Sequence, residues 1–172
     1  NMNLLGTHDT PRILTALVDD FDGSREELAG RHLTPEQLEL ALNRLMLSSA
    51  LQYTLPGSPS LYYGDEAGME GHKDPFNRRT YPWGKENREL LEHFAALGRL
   101  RKEKPALRTG NTEFLHAGGG RLAFARVLKG SRIQIYVNLS GENWQIPAGK
   151  VLLARNCENL SLAPMGMCIL ED

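Results

Sequence analysis

Two short apolar runs, each followed at once by polar residues, stand on either side of a long stretch with helical spacing. The first run covers residues 3–5 and leads into the polar residues 7–12, and the second covers residues 61–63 and leads into Asp65 and Glu66. A short apolar run that ends in turn or polar residues is typical of a buried strand. Strand, helix and strand form a βαβ unit, whose parallel strands present their carboxyl ends at one edge. The pattern therefore predicts such a unit with a candidate site at that edge.

The intervening stretch is the clearest predicted helix. Thr34 fits the N-cap, Pro35 the first helical position and Gln37 the return bond of a capping box, while Pro56 and Gly57 end the helix. Further predicted elements are a short helix over 13–18, a loop with one helical turn over 19–33, a long irregular loop after Glu66, and a helix that begins near Asn87 and ends near Pro105.

The pattern changes near Gly110. From Asn111 onward, short apolar runs alternate with Gly, Asn and Ser turns, which is typical of an antiparallel sandwich or Greek-key domain. We predict an α/β part over residues 1–110 followed by an all-β part over 111–172. The second part has about sixty residues, close to the lower limit for folding alone, so we expect it to pack against the first.

Composition excludes several classes of partner. The 172 residues are 41% hydrophobic and carry a formal net charge of −1, which predicts a globular, soluble chain with no bulk attraction to nucleic acid or to an anionic membrane. No stretch reaches the roughly 20 apolar residues that a transmembrane helix needs. Cys157 and Cys168 lie in no CxxC pattern, so we interpret them as two buried free thiols.

The polar residues after the first apolar run carry the candidate chemistry. His8 beside Asp9 fits half of a hydrolytic triad, a metal pair, or a carboxylate that binds sugar hydroxyls, and spacing alone leaves these open. The chain has no HxH or HxxxH zinc pattern and no GxSxG nucleophile elbow. Asp20, Asp22 and Gly23 resemble a calcium loop only faintly, so a solvated loop is the preferred interpretation. We expect no metal and no cofactor.

Carbohydrate chemistry fits the remaining residue types best. It uses carboxylates to stabilise an oxocarbenium-like state, and it uses aromatic and polar side chains to hold the sugar. The aromatic candidates are Tyr62, Tyr63, Tyr81 and Trp83. The alternative is that the tyrosines fill the core while Asp65 or Glu66 pairs locally. For Arg12 we predict a role in orienting the loop by hydrogen bonds rather than a contact with sugar.

Two segments resemble the α-amylase family, glycoside hydrolase family 13. "NLLGTHDTPR" is similar to the family's fourth conserved region, and "PGSPSLYYGDEAGMEGHKDPFNRRTYPW" is similar to its strand 8 and the following loop, in wording closest to the neopullulanase, cyclomaltodextrinase and maltogenic amylase group. The resemblance implies the C-terminal part of a (β/α)8 TIM barrel followed by a small antiparallel β-sandwich. It implies strand 7 at 3–5, helix 7 at 38–51, strand 8 at 61–63 and helix 8 at 89–100.

The resemblance also implies roles for individual residues. Asp9 matches the catalytic carboxylate that stabilises the transition state, and His8 matches the neighbouring sugar-binding histidine. Asp74 and Arg78 match substrate-binding residues of the neopullulanase-like group. Thr7 stands where the family often has Asn, which leaves the subfamily open.

The family's nucleophile and proton donor lie on strands 4 and 5, which the resemblance places before residue 1, and no GxRxD motif occurs in the chain. Because the retaining mechanism needs two carboxyl groups at the glycosidic bond, we predict a fragment that is inactive alone. Its full-length parent is expected to hydrolyse α-1,4 bonds, with α-1,6 bonds as a second candidate, in α-glucans such as maltodextrins, cyclodextrins or pullulan. A non-catalytic carbohydrate-binding or interaction module remains the alternative.

Unpaired strand edges in part of a barrel predict self-association of the fragment. A dimer of the parent is the other expected assembly. The cyclomaltodextrinase-like group favours the cytoplasm, although the compartment is otherwise open.

Overall fold

The computed structural model describes all 172 residues, which form helices and short strands first and long strands afterwards. The elements are β1 Met2–Leu4, α1 Ile13–Ala16, α2 Arg25–Ala29, α3 Pro35–Thr54, β2 Ser58–Ser60, α4 Arg88–Glu103, α5 Pro105–Thr109, β3 Asn111–Gly118, β4 Arg121–Leu128, β5 Ser131–Asn138, β6 Trp144–Gln145, β7 Lys150–Glu158 and β8 Ser161–Glu171, with one 3-10 turn at Phe76–Arg78. None of the helices combines the length and the apolar character needed to cross a membrane.

The chain divides into two compact units. One contains Met2–Ser49 and Pro59–Ala95, and the other contains Asn1, Ala50–Ser58 and Ala96–Asp172. The helix-to-strand change falls at Gly110, between α5 and β3. The end of α4 from Ala96 onward and all of α5 belong to the same compact unit as the sheet. The assignment of residues 1–110 and 111–172 to two domains stays a prediction.

Helix α3 begins as its sequence predicts. Thr34 Oγ1 accepts a hydrogen bond from the Gln37 backbone N–H at 3.2 Å, and Gln37 Oε1 accepts one from the Thr34 N–H at 3.0 Å. This reciprocal pair is a capping box, which satisfies two N–H groups that the helix itself leaves free. The helix ends at Thr54, two residues before Pro56.

The two short strands differ from their predicted form. We expected buried strands at 3–5 and 61–63, whereas β1 and β2 pair with each other over Met2–Leu4 and Ser58–Ser60. Met2 is 68% exposed and Leu4 is 49% exposed. The physical reason is that each strand has a single hydrogen-bonded neighbour, and a two-stranded sheet cannot bury its faces. Residues 61–63 follow the strand and enter a turn in which Asp65 N–H donates to the Tyr62 carbonyl at 3.1 Å.

The C-terminal strands form one six-stranded antiparallel sheet. Strands β3, β4 and β5 follow one another, β8 lies beside β5, and β6 and β7 both pair with β8. The fully buried side chains of β5 and β8 are the centre of its core: Ile133, Ile135, Leu162, Met167, Cys168, Ile169 and Leu170. The predicted all-β character is confirmed. The strands are hydrogen-bonded into a single sheet, so the division into two packed sheets that defines a sandwich stays a prediction.

Two arginines connect the end of α3 to α5 and to Gly110 by hydrogen bonds. Arg101 Nη1 donates to the carbonyls of Tyr53 and Leu107 at 2.7 and 2.8 Å. Arg126 donates to the carbonyls of Thr54 and Gly110 at 2.5 and 2.8 Å. The carbonyls at the end of α3, which have no partner inside the helix, are thereby satisfied by cations.

Both cysteines are free thiols, as predicted, but Cys157 is only half-buried whereas burial of both was expected. Cys168 is fully buried on β8. Burial disfavours the charged thiolate and raises the pKa of Cys168 to about 12, so this thiol is protonated at neutral pH.

Candidate functional site

The four predicted site residues lie together as a continuous chain of polar side chains. Arg78 is at its centre: Nε lies 2.8 Å from Asp74 Oδ1, and Nη2 lies 3.6 Å from Asp9 Oδ1. Asp9 Oδ2 in turn lies 3.2 Å from His8 Nε2. All four side chains are exposed. The arrangement therefore presents two carboxylates, one guanidinium and one imidazole to a ligand from solvent.

Local hydrogen bonds shape the turn that carries His8 and Asp9. The Thr7 N–H donates to Thr10 Oγ1 at 3.0 Å, and the Asp9 N–H donates to Thr7 Oγ1 at 3.2 Å. Short hydroxyl side chains stabilise turns in this way because they replace backbone partners. Arg78 Nε also donates to the His8 carbonyl at 3.1 Å, so the two loops of the site are joined directly.

Asn77 stabilises this turn from the protein interior. Its side chain is buried, and Nδ2 donates to the carbonyls of His8 and Thr10 at 2.7 and 2.8 Å. The 3-10 turn Phe76–Arg78 places Asn77 inward and Arg78 outward. The sequence interpretation missed Asn77. Nothing marks it locally except that it is the single amide between the "DP" step and the two arginines.

Arg12 lies under the same loop and is fully buried. Its Nη1 donates to the Tyr63 carbonyl and to Asp65 Oδ1, the latter at 3.2 Å. The guanidinium also lies over the rings of Tyr62 and Tyr63, at 4.2 and 4.5 Å from their centroids. Arg12 thus orients the loop rather than facing solvent, as the sequence indicated. Asp65 forms a buried local pair, which was the alternative to a sugar contact.

Burial dominates the electrostatics of Asp65. It raises the pKa of this carboxyl from its ordinary value of 3.8 to about 6, against the opposing attraction of Arg12. Asp65 therefore changes its charge within a mildly acidic range, while it is surrounded by the groups that support the site.

The remaining aromatic candidates are more accessible. Tyr81 and Trp83 pack against each other with ring centroids 4.5 Å apart, and Trp83 is 81% exposed. Tyr63 donates from its hydroxyl to the Arg79 carbonyl at 2.8 Å. Across the whole chain, no group of three or more His, Cys, Asp or Glu side chains is arranged to hold a metal ion.

Comparisons with known proteins identify relatives of one kind. The chain is 46% identical over 126 residues to an amylopullulanase of Thermoanaerobacter thermohydrosulfuricus. This match covers 73% of the present chain and 8% of the relative. It is 37% identical over 149 residues to a cyclomaltodextrinase of Geobacillus thermopakistaniensis. That match covers 84% of the present chain and 22% of the relative.

A solved structure, the debranching enzyme of Nostoc punctiforme, matches 99% of this chain with a TM-score of 0.79 at 28% identity, and the match covers 35% of that enzyme. No family model matches the sequence. The chain thus spans less than a quarter of the length of either curated relative.

The raised pKa of Asp65 predicts a pH dependence of stability. The folded chain keeps this proton at pH values where the unfolded chain has lost it. The free energy of unfolding due to Asp65 therefore falls as the pH rises from about 4 to about 6. Relative to Asp65→Asn, the unaltered chain should lose on the order of 1–3 kcal/mol over this range. Urea unfolding followed by circular dichroism at several pH values measures the difference.

The control for this experiment is Glu39→Gln, which removes an exposed carboxyl from α3. A difference between the unaltered chain and Asp65→Asn that stays constant with pH contradicts the assignment.

Proposed function

The chain belongs to the α-amylase family, glycoside hydrolase family 13, and we propose that it is part of a retaining α-glucan hydrolase. In this proposal, residues 1–110 are the last part of a (β/α)8 catalytic barrel and residues 111–172 are the C-terminal β domain. The order of elements supports it: two short strands, each followed by helices, precede an antiparallel sheet. The proposed substrates are maltodextrins, cyclodextrins or pullulan, cleaved at α-1,4 bonds and, as a second candidate, at α-1,6 bonds.

One observation carries the proposal. Arg78 links Asp9 and Asp74 across two loops that are far apart in sequence, and these are residues that the family motifs mark. Carboxylates accept hydrogen bonds from sugar hydroxyls, and a guanidinium donates to them. Because the three groups already contact one another, a sugar meets partners whose positions are set before it binds.

The proposed roles follow from exposure and charge. Asp9 faces solvent beside His8 and is proposed to stabilise positive charge that develops at the sugar in an oxocarbenium-like transition state. His8 is proposed to contact the same sugar. Asp74 and Arg78 are proposed to bind a neighbouring glucose unit through its hydroxyls.

Binding without hydrolysis is the function proposed for these residues by themselves. A retaining mechanism requires a nucleophile and a proton donor on either side of the glycosidic bond. The 172 residues contain no GxRxD motif, and Asp9 alone cannot perform both steps.

The sugar site is tested by titrating the chain with maltoheptaose while the fluorescence of the exposed Trp83 is recorded. A saturable change is expected, and Asp74→Ala should weaken binding roughly 10-fold or more, because a charged hydrogen-bond partner is lost. Glu39→Ala on α3 is the matched control and should bind like the unaltered chain. Absence of a saturable response, or equal binding by Asp74→Ala, rejects the site.

Hydrolysis is tested by incubating the chain with cyclodextrin and with pullulan, alongside a full-length cyclomaltodextrinase as the positive control. The relative should release reducing sugar from its substrate, and residues 1–172 should release none. Turnover by the 172 residues alone contradicts the proposed requirement for carboxylates from other strands.

We also propose that the isolated chain self-associates through β1. This strand has one hydrogen-bonded neighbour and exposes Met2 and Leu4, and such an edge pairs readily with another chain. Sedimentation velocity should show oligomers that Leu4→Lys reduces. Leu139→Lys, which changes a 60% exposed residue outside the strands, should not reduce them. A monodisperse monomer contradicts this proposal.

A further inference from the structure

Two neighbouring cavities lie on the side of Asp74 that faces the loop of residues 19–28. The first, of about 270 Å³, is lined by residues that include Lys73, Asp74 and Phe76. The second, also of about 270 Å³, is lined by residues that include Phe21, His72 and Lys73. They share Leu28 and Lys73 as lining residues, so the cavity that borders Asp74 and the cavity that borders Phe21 are direct neighbours.

Phe21 lines the second cavity and is packed against charged neighbours. The Arg31 guanidinium lies over its ring, with Cζ 4.2 Å from the centroid. Arg31 is itself fixed by Asp19, through Nε–Oδ2 and Nη2–Oδ1 distances of 2.7 and 3.1 Å, and Asp19 Oδ1 also accepts from the Phe21 N–H at 3.1 Å. The ring therefore has a defined position, although it lies in a loop.

The backbone at Gly23 completes this setting. A Cβ at Gly23 would lie 2.5 Å from the Phe21 ring, which means that the ring packs directly against the glycine backbone. Phe21 nevertheless remains 38% exposed. An aromatic ring that is packed against the protein and still partly exposed offers apolar surface to a ligand.

Polar groups surround the open part of the ring. Asp20 and Asp22 line the same cavity, and Lys73 forms an ion pair with Asp22. His72 is buried 3.8 Å from Asp19, and its burial lowers the pKa of the imidazole. A neutral imidazole offers both a donor and an acceptor nitrogen.

This set of groups selects among ligand classes. The cavity contains more carboxylates than cations, so an anionic ligand meets repulsion. A neutral molecule with an apolar ring face and hydroxyls at its edge uses both the aromatic surface and the polar rim. A sugar unit has that chemistry, and the neighbouring cavity, which shares Leu28 and Lys73 with this one, borders the proposed glucose site at Asp74.

We propose that Phe21 is the platform of an additional subsite, which takes a glucose unit of an α-glucan beyond the unit bound by Asp74 and Arg78. This inference rests on the proposed function, because it extends the same chain of sugar units. Its consequence is a dependence of affinity on ligand length: an oligosaccharide that reaches Phe21 gains a stacking contact that a short one does not make.

The test compares maltotriose with maltoheptaose by calorimetric titration of the full 172-residue chain. Phe21→Ala should weaken maltoheptaose binding roughly 3- to 10-fold, as loss of one aromatic contact implies, and should leave maltotriose binding unchanged. The matched control is Phe114→Ala, which removes a 70% exposed phenylalanine from β3 and should leave both affinities unchanged.

A second variant guards against a misfolded Phe21→Ala chain. Phe21→Trp combined with Trp83→Phe keeps an aromatic platform and moves the fluorescent reporter to position 21, where its emission should change with maltoheptaose and not with maltotriose. No response of this reporter to maltoheptaose overturns the inference.

The outcomes separate the two proposals. Asp74→Ala should weaken both oligosaccharides, whereas Phe21→Ala should weaken only the longer one. If Phe21→Ala leaves the ratio of the two affinities unchanged, the platform is rejected while the Asp74 site stands. If the unaltered chain binds neither oligosaccharide, the proposed function fails and the inference fails with it.

Discussion

The buried guanidinium of Arg12 is the constraint on which the candidate site depends. A cation without solvent must find partners within the fold, and Arg12 finds the Tyr63 carbonyl, the Asp65 carboxylate and two tyrosine rings. Its own backbone N–H donates to the Gly71 carbonyl at 2.8 Å. These contacts join the loop after β1 to the loop after β2. Asp9 is three residues from Arg12, so its position follows from where that charge can be buried.

Burial of Arg12 and Asp65 positions the two loops, but it costs free energy of solvation. Nε and Nη2 of Arg12 have no hydrogen-bond partner, and the raised pKa of Asp65 shows that loss of water outweighs the attraction between the two charges. Replacing both by apolar residues of similar volume is therefore compatible with a stable fold, whereas removing one alone leaves the other charge buried without its partner. The Arg12–Asp65 pair therefore contributes to the specific arrangement of the loops after β1 and β2 rather than to net stability.

The sequence was informative where structure is set by nearby residues. The start of α3 follows from Thr34, Pro35 and Gln37, whose interactions span three positions. The exposure of β1 did not follow, because burial depends on how many strands lie alongside and not on the apolar run itself. Asn77 was missed for a related reason: its partners, His8 and Thr10, lie more than sixty residues earlier. His8, Asp9, Asp74 and Arg78 were identified from motifs, while the contact between Asp9 and Arg78 required the fold.

The groups proposed to contact sugar share one arrangement, in which a buried polar side chain positions an exposed residue. Asn77 holds the turn of His8, and Asp19 holds Arg31, which in turn covers one side of Phe21. Ordering these groups before a ligand arrives removes part of the conformational entropy that binding otherwise loses. Exposed loop residues such as Asp9 and Phe21 can then act with defined geometry although neither lies in a regular element. For Asp9, whose proposed role is to stabilise a transition state, this order has a further meaning, because such a charge is most effective when it does not have to move during the reaction.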